Sequence, residues 1–188
     1  MACMIPLTTR SDHDSAVRFP REIAAAVTLP AAAAALVAPG DGPLRGSAAT
    51  AVVTACGALA TRMALVDFLA APGAHDPRTL RAFDPFHDDT PPALSGIGPR
   101  PSRSRLRTAG DRCVEAWRTW HVQDGPADGT AGAAGALALA AWCAWALGSA
   151  ARAETRARYA LDLRDDDALA GLVLRSVLAD SRPTWSPR

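Results

Sequence analysis

Apolar positions recur with helical period along much of this chain, and the pattern is clearest between residues 131 and 180. Leu137, Ala140, Ala141, Ala144 and Leu147 return at three- and four-residue intervals, which predicts a helix with one continuous apolar stripe. Gly148-Ser149 ends it. Ala150, Ala153, Ala157, Ala160 and Leu161 then give a second helix a small-residue face, with Arg152, Glu154, Arg156 and Arg158 mostly directed elsewhere. A third helix is expected after Asp165-Asp166-Asp167, whose carboxylates suit a helix N-terminus, and it carries Leu169, Leu172, Val173, Val177 and Leu178. The three together predict an antiparallel hairpin with a covering helix.

The pattern upstream is less regular. Phe19-Pro20-Arg21-Glu22 can open a helix, and Ile23, Val27, Leu29, Leu36 and Val37 follow, with Pro30 expected to divide the segment in two. Pro39-Gly40-Asp41-Gly42-Pro43 is a turn. From Leu44 or Ser47 to Leu69 a single long helix is predicted, with Val52, Val53, Cys56, Leu59, Met63, Val66 and Leu69 on its apolar side. Ala71-Pro72-Gly73 stops it. Residues 76–101 are rich in Pro and Gly and predict a short helix at 77–83, then an exposed loop or linker. Residues 103–120 return to helical character, with Leu106, Cys113, Val114 and Trp117 as core candidates. The expected organisation is an irregular arm at 1–18, a helical region at 19–71, a loop or linker at 72–102, a helical region at 103–180 and a tail at 181–188. The expected fold class is all-α, an irregular helical bundle ending in the hairpin and its covering helix.

Composition supports the helical reading. Of 188 residues 43 are alanine, the residue that costs least to place in a helix, and strand formers are sparse. Alanine buries little area, so such a core depends on close backbone approach and on its few large side chains. All 20 basic residues are arginine and are balanced by 19 acidic ones. The net charge of +1 gives no reason to expect nucleic acid or an anionic membrane. Residues 130–151 carry no charge and are long enough to cross a bilayer, but their Ala, Gly and Ser content favours a core helix. Cys3, Cys56, Cys113 and Cys143 form no paired motif and are expected as buried or incidental thiols. The early charges at Arg10, Asp12 and Asp14 are unlike a secretory signal.

Two clusters carry candidate chemistry. Arg100, Arg103, Arg105, Arg107 and Arg112 form a local basic feature on a loop leading into a helix, where guanidinium geometry suits carboxylates or phosphates. Trp117, Trp120, Trp142 and Trp145 add aromatic contact surface. These nine residues are the expected docking surface for an unidentified protein partner, or for a second copy. The other cluster, His75, Asp76, Asp84, His87 and Asp88, has the residue types for a metal-dependent or acid-base enzyme but no convergent spacing. Neither a phosphate-cradling Gly-x-x-x-x-Gly-Lys segment nor a Gly-x-Ser-x-Gly nucleophile segment occurs. Gly132 and Gly135 are expected at a close helix contact. The preferred function is a non-catalytic interaction or regulatory module without a cofactor. The enzyme is the first alternative and a purely structural oligomer subunit the second.

Leu137, Ala140-Ala141, Ala144, Gly148, Ala153, Ala157 and Ala160, followed by the turn at Leu161-Asp162-Leu163-Arg164-Asp165, resemble a tetratricopeptide-type hairpin. Ala157 stands where such hairpins carry a large aromatic, and Asp165 where they carry a turn proline. The phrase from Ala140 to Gly148, with Ala150, Arg152, Ala153 and the Asp-rich turn before Leu169-Ala170, is similar to the C-terminal region of a large actinobacterial family of unknown function. That resemblance implies a bacterial, cytoplasmic protein and carries over no catalytic residue.

Overall fold

The computed structural model describes residues 11–40, 42–73, 75–123, 125 and 127–186, with the backbone alone for 11–19 and 128. Cys3, residues 1–10 of the expected arm and Pro187 lie outside them. Seven α-helices pack together, and there is no strand among the described residues: α1 (Ser11–Val37), α2 (Gly46–Ala55), α3 (Leu59–Ala70), α4 (Arg103–Val122), α5 (Thr130–Ala146), α6 (Ala150–Leu163) and α7 (Ala168–Leu178). Short 3-10 turns occur at Pro77–Thr79, Pro92–Ser95 and Ala127–Gly129.

The centre is α5. Every residue from Ala131 to Ala146 is buried, so the expected single stripe is instead a helix covered on all sides. It packs on α4, α6, α7 and α2. The expected hairpin and covering helix are present as α5, α6 and α7, with Ala153, Ala157 and Ala160 of α6 and Leu169, Ala170 and Val173 of α7 turned into the core.

Three boundaries differ from expectation. First, α1 begins at Ser11, inside the segment read as an irregular arm, and continues through Pro20 and Pro30. Ala25, Leu29, Ala32, Ala33 and Leu36 form one buried stripe against α2, and this packing outweighs the hydrogen bond lost at Pro30. Its other side leaves Ile23 and Val27 mostly exposed. Over Pro20–Val37 the helix is long and apolar enough to cross a membrane by length and composition.

Second, the predicted long helix at 44–69 is two helices meeting at an angle of 110°. Gly57 donates its N–H to Thr54 O at 3.0 Å, and Thr61 Oγ1 donates to Ala58 O at 2.9 Å and to Ala55 O. These bonds take up the groups freed where the ladder breaks. The break also bares backbone for α5: a Cβ on Gly135 would lie 2.0 Å from Cys56 O, and one on Gly132 2.2 Å from Val53 O. Apolar periodicity continued across the break because both helices face the same core.

Third, the segment at 72–102 is the expected loop and is mostly exposed, but it is anchored to the bundle at a few residues and is no free linker. Phe83 N donates to Ala60 O, Ala93 and Leu94 are buried, and the Trp142 indole N–H donates to Ala93 O at 3.2 Å. Gly96, at φ 71°, lies so close to Pro183 and Trp145 that a Cβ would come within 2.7 Å of each. The tail closes on the same place, through Thr184 N to Gly96 O at 2.8 Å, Trp145 Nε1 to Ser181 O at 2.9 Å and Trp185 Nε1 to Ala146 O at 3.0 Å.

A buried ion pair joins the two halves of the chain. Arg62 Nη1 lies 2.8 and 2.6 Å from the two carboxylate oxygens of Asp167, and both side chains are almost wholly buried. Asp167 also caps α7, accepting from Ala170 N at 2.9 Å.

Two stability measurements test this packing. Gly135→Ala, which at an exposed helical site would stabilise, is expected to lower stability by about 1–3 kcal/mol, read by urea denaturation. Asp167→Ala leaves Arg62 buried without its partner and is expected to cost about 3–5 kcal/mol. Combining Arg62→Met with Asp167→Asn removes both charges and keeps the cap, so it should recover most of that loss.

Candidate functional site

Two concave regions lie at opposite ends of α4 and α5. The larger, of about 1600 Å³, runs between the Pro20–Ala24 part of α1, the α2–α3 break, the end of α4 and the start of α7. Its charged lining is Arg21, Arg62 and Arg164 against Glu22, Asp166 and Asp167. Arg62 is taken up by Asp167 and Arg164 by Asp166, and the Arg164 hydrogen bond holds Asp166 below its ordinary pKa. Three cations facing three anions leave this cleft no net sign with which to recruit a charged ligand.

The smaller pocket, of about 420 Å³, lies where the α4 N-terminus meets the C-terminal ends of α5 and α7 and the tail. Trp145, Leu147, Val177, Pro183 and Trp185 supply apolar walls. Arg100, Arg103 and Arg182 line it with Asp180 as the one carboxylate. Asp180 lies 3.4 Å from Arg182. Arg100 and Arg103 are exposed and make no hydrogen bond or ion pair among the described residues. Ser102 caps α4 between them, its hydroxyl accepting from Arg105 N at 3.4 Å, so the positive end of the helix faces the same region.

The structure divides the five arginines of the basic cluster. Arg100, Arg103 and Arg107 face solvent. Arg105 turns back over the Phe68 ring, 4.4 Å from its centroid, and donates to Gly73 O at 2.8 Å. Burial there lowers its pKa. Arg112 is buried and donates to Ala35 O at 2.6 Å and Gly40 O at 2.9 Å, clamping α4 to the end of α1. Their spacing along α4 puts them on its inner side, where bared carbonyls need donors.

The tryptophans divide likewise. Trp142 is fully buried and Trp145 nearly so, and both indole N–H groups are bonded to backbone, which leaves Trp142 no free surface. Trp117 stacks on His121 with centroids 5.7 Å apart and touches Tyr159. Trp120 lies against Gly125 and Gly129, where a Cβ would come within 2.0 and 2.6 Å of its Nε1. Of these four, Trp145 is the one that lines the arginine pocket, where Trp185 of the tail joins it.

The histidine and aspartate cluster builds a turn. Asp84 accepts from Phe86 N at 2.9 Å and contacts His87 Nδ1 at 2.7 Å, while Asp88 accepts from Asp84 N at 2.8 Å and pairs with Arg81. His75 contacts Gly73 O, and Asp76 caps the Pro77–Thr79 turn. Among the described residues no three His, Cys, Asp or Glu side chains are placed to share a metal ion. The turn presents Phe86, 90% exposed, at its tip. Sequence reasoning passed over Phe86, although Asp two residues before it is an Asx-turn signal.

Cys56, Cys113 and Cys143 are free and fully buried. Burial pushes Cys56 and Cys143 up to about 12 and raises Cys113 well above its ordinary value, so none is a ready nucleophile. No protein-family model, curated protein or solved structure matches the chain.

The Arg81 hydrogen bond holds Asp88 below its ordinary value of 3.8. A depressed carboxylate supports its fold above that value and loses the contribution as pH falls through the lower, folded one. The 84–89 turn is therefore expected to persist at pH 5 and to loosen only below pH 3.8, read from the Asp84 and Phe86 amide resonances. Arg81→Ala should move the loss to higher pH.

Proposed function

We propose that this chain is a non-catalytic docking module that receives an acidic protein segment in the pocket formed by Arg100, Arg103 and Arg182. One observation carries the reading: the Arg100 and Arg103 side chains have no partner among the described residues and stand beside apolar walls that include Trp185, while Arg105 and Arg112 hold backbone carbonyls. Guanidinium groups over an apolar floor suit carboxylates flanked by apolar side chains. The mechanism is non-covalent. The carboxylates of the His and Asp cluster are engaged in turn hydrogen bonds, which favours docking over acid-base work. Reading the α5–α6 hairpin as tetratricopeptide-type gives the pocket a rigid wall, since Ala153, Ala157 and Ala160 let the two helices approach closely. Three free thiols accord with a reducing cytoplasmic setting.

The test is a fluorescence-anisotropy titration of the full chain with a labelled hexaglutamate peptide at low and high salt. Arg100→Ala with Arg103→Ala is expected to weaken binding about tenfold, from two exposed charge pairs of ~0.7 kcal/mol each. Arg152→Ala, an exposed arginine outside the pocket, should leave it unchanged. Equal loss in both variants, or no binding by the parent chain at low salt, would overturn the reading.

A further inference from the structure

Resting on that reading of the arginine pocket, we propose that its occupant is the 84–89 turn of a second copy of this chain, with Phe86 inserted among the partly exposed Leu147, Val177 and Trp185. The two surfaces are complementary in charge. The pocket sets Arg100, Arg103 and Arg182 against Asp180, an excess of two positive charges. Of the carboxylates and guanidinium there, the turn sets Asp84, Asp88 and Asp89 against Arg81, three negative charges to one positive. They are also complementary in shape and polarity. Phe86 is a large apolar side chain with 90% of its surface in water, carried at the tip of a turn that is already hydrogen-bonded at Asp84 and Asp88. A pocket of about 420 Å³ has room for one benzyl side chain with its neighbouring carboxylates. Because the turn is ordered beforehand, docking fixes few additional torsions.

A chain cannot fill its own pocket in this way. Phe83, just before the turn, and Pro85 within it line the large cleft together with Thr119 and Trp120 at the end of α4, whereas the arginine pocket adjoins Leu106 near its start. Leu106 and Thr119 are thirteen residues apart on one helix, about 20 Å at its rise per residue. The contact is therefore between two different patches, and repeating it joins copies head to tail in a ring or an open chain.

Sedimentation velocity of the full chain over a range of concentrations tests this. The parent chain is expected to grow in mass with concentration at low salt and to dissociate at high salt. Phe86→Ala and the Arg100→Ala/Arg103→Ala pair should each be monomeric alone. Mixed, they should form a one-to-one dimer, because the first keeps an intact pocket and the second an intact turn. A parent chain that stays monomeric, association that survives either change, or a mixture that fails to pair overturns the proposal. Hexaglutamate binding separates the two ideas: a monomeric chain that binds the peptide through Arg100 and Arg103 loses only the self-association, and one that binds neither loses both.

Discussion

The contact on which the rest of the structure depends is backbone against backbone. Gly132 and Gly135 bring α5 so close to the carbonyls of Val53 and Cys56 that no side chain fits between them. That approach is possible because the helix predicted at 44–69 breaks at Gly57 and turns through 110°, presenting its carbonyl end to α5. A core made largely of alanine has little area to bury per residue, and it compensates by shortening the distance between helix axes. With α5 seated there, α4, α6 and α7 close around it, and Trp142 and Trp145 fill the end that alanine cannot.

Charge is used inside this bundle to tie elements distant in sequence. Arg62 with Asp167, Arg112 with the α1 carboxyl end, Arg105 with the 71–73 turn and Arg156 with Ala140 O and Asp111 each bridge two helices or a helix and a loop. In a chain without lysine these roles fall to guanidinium, whose planar fork can serve two acceptors at once. What is left over is then informative. Arg100 and Arg103 have no such duty, and they stand beside a depression that the tail and α5 have already lined with aromatic rings.

The helical class and the α5–α7 unit were legible because Ala153, Ala157, Ala160, Leu169 and Val173 keep helical spacing and do face the core. Period alone misled at 44–69, where two helices share a core side, and at Pro30, where tertiary packing overrides a local breaker. Burial on every side of α5 could not be distinguished from a stripe, since alanine occupies inward and outward positions alike. Of the basic cluster, the sequence located the arginines without dividing them, because whether Arg105 meets Gly73 O or solvent depends on a turn about thirty residues away. The Arg62–Asp167 pair spans 105 residues and leaves no local signal at all. Phe86 was readable in principle from its Asx turn, and Arg182 was not, since the tail joins the pocket through long-range contacts, the indoles of Trp145 and Trp185 and the bonds of Thr184 to Gly96 O.

Complete enclosure of α5 also sets how the molecule breathes. Its amides have no solvent-facing side, so deuterium enters them only when neighbouring helices leave together, and their protection reports global opening. Val122, at the far end of α4, and the solvent side of α1 at Ile23 and Val27 have no such cover and exchange through small, local fluctuations. A single immovable rod surrounded by looser staves is the dynamic profile that this arrangement of glycine and alanine imposes.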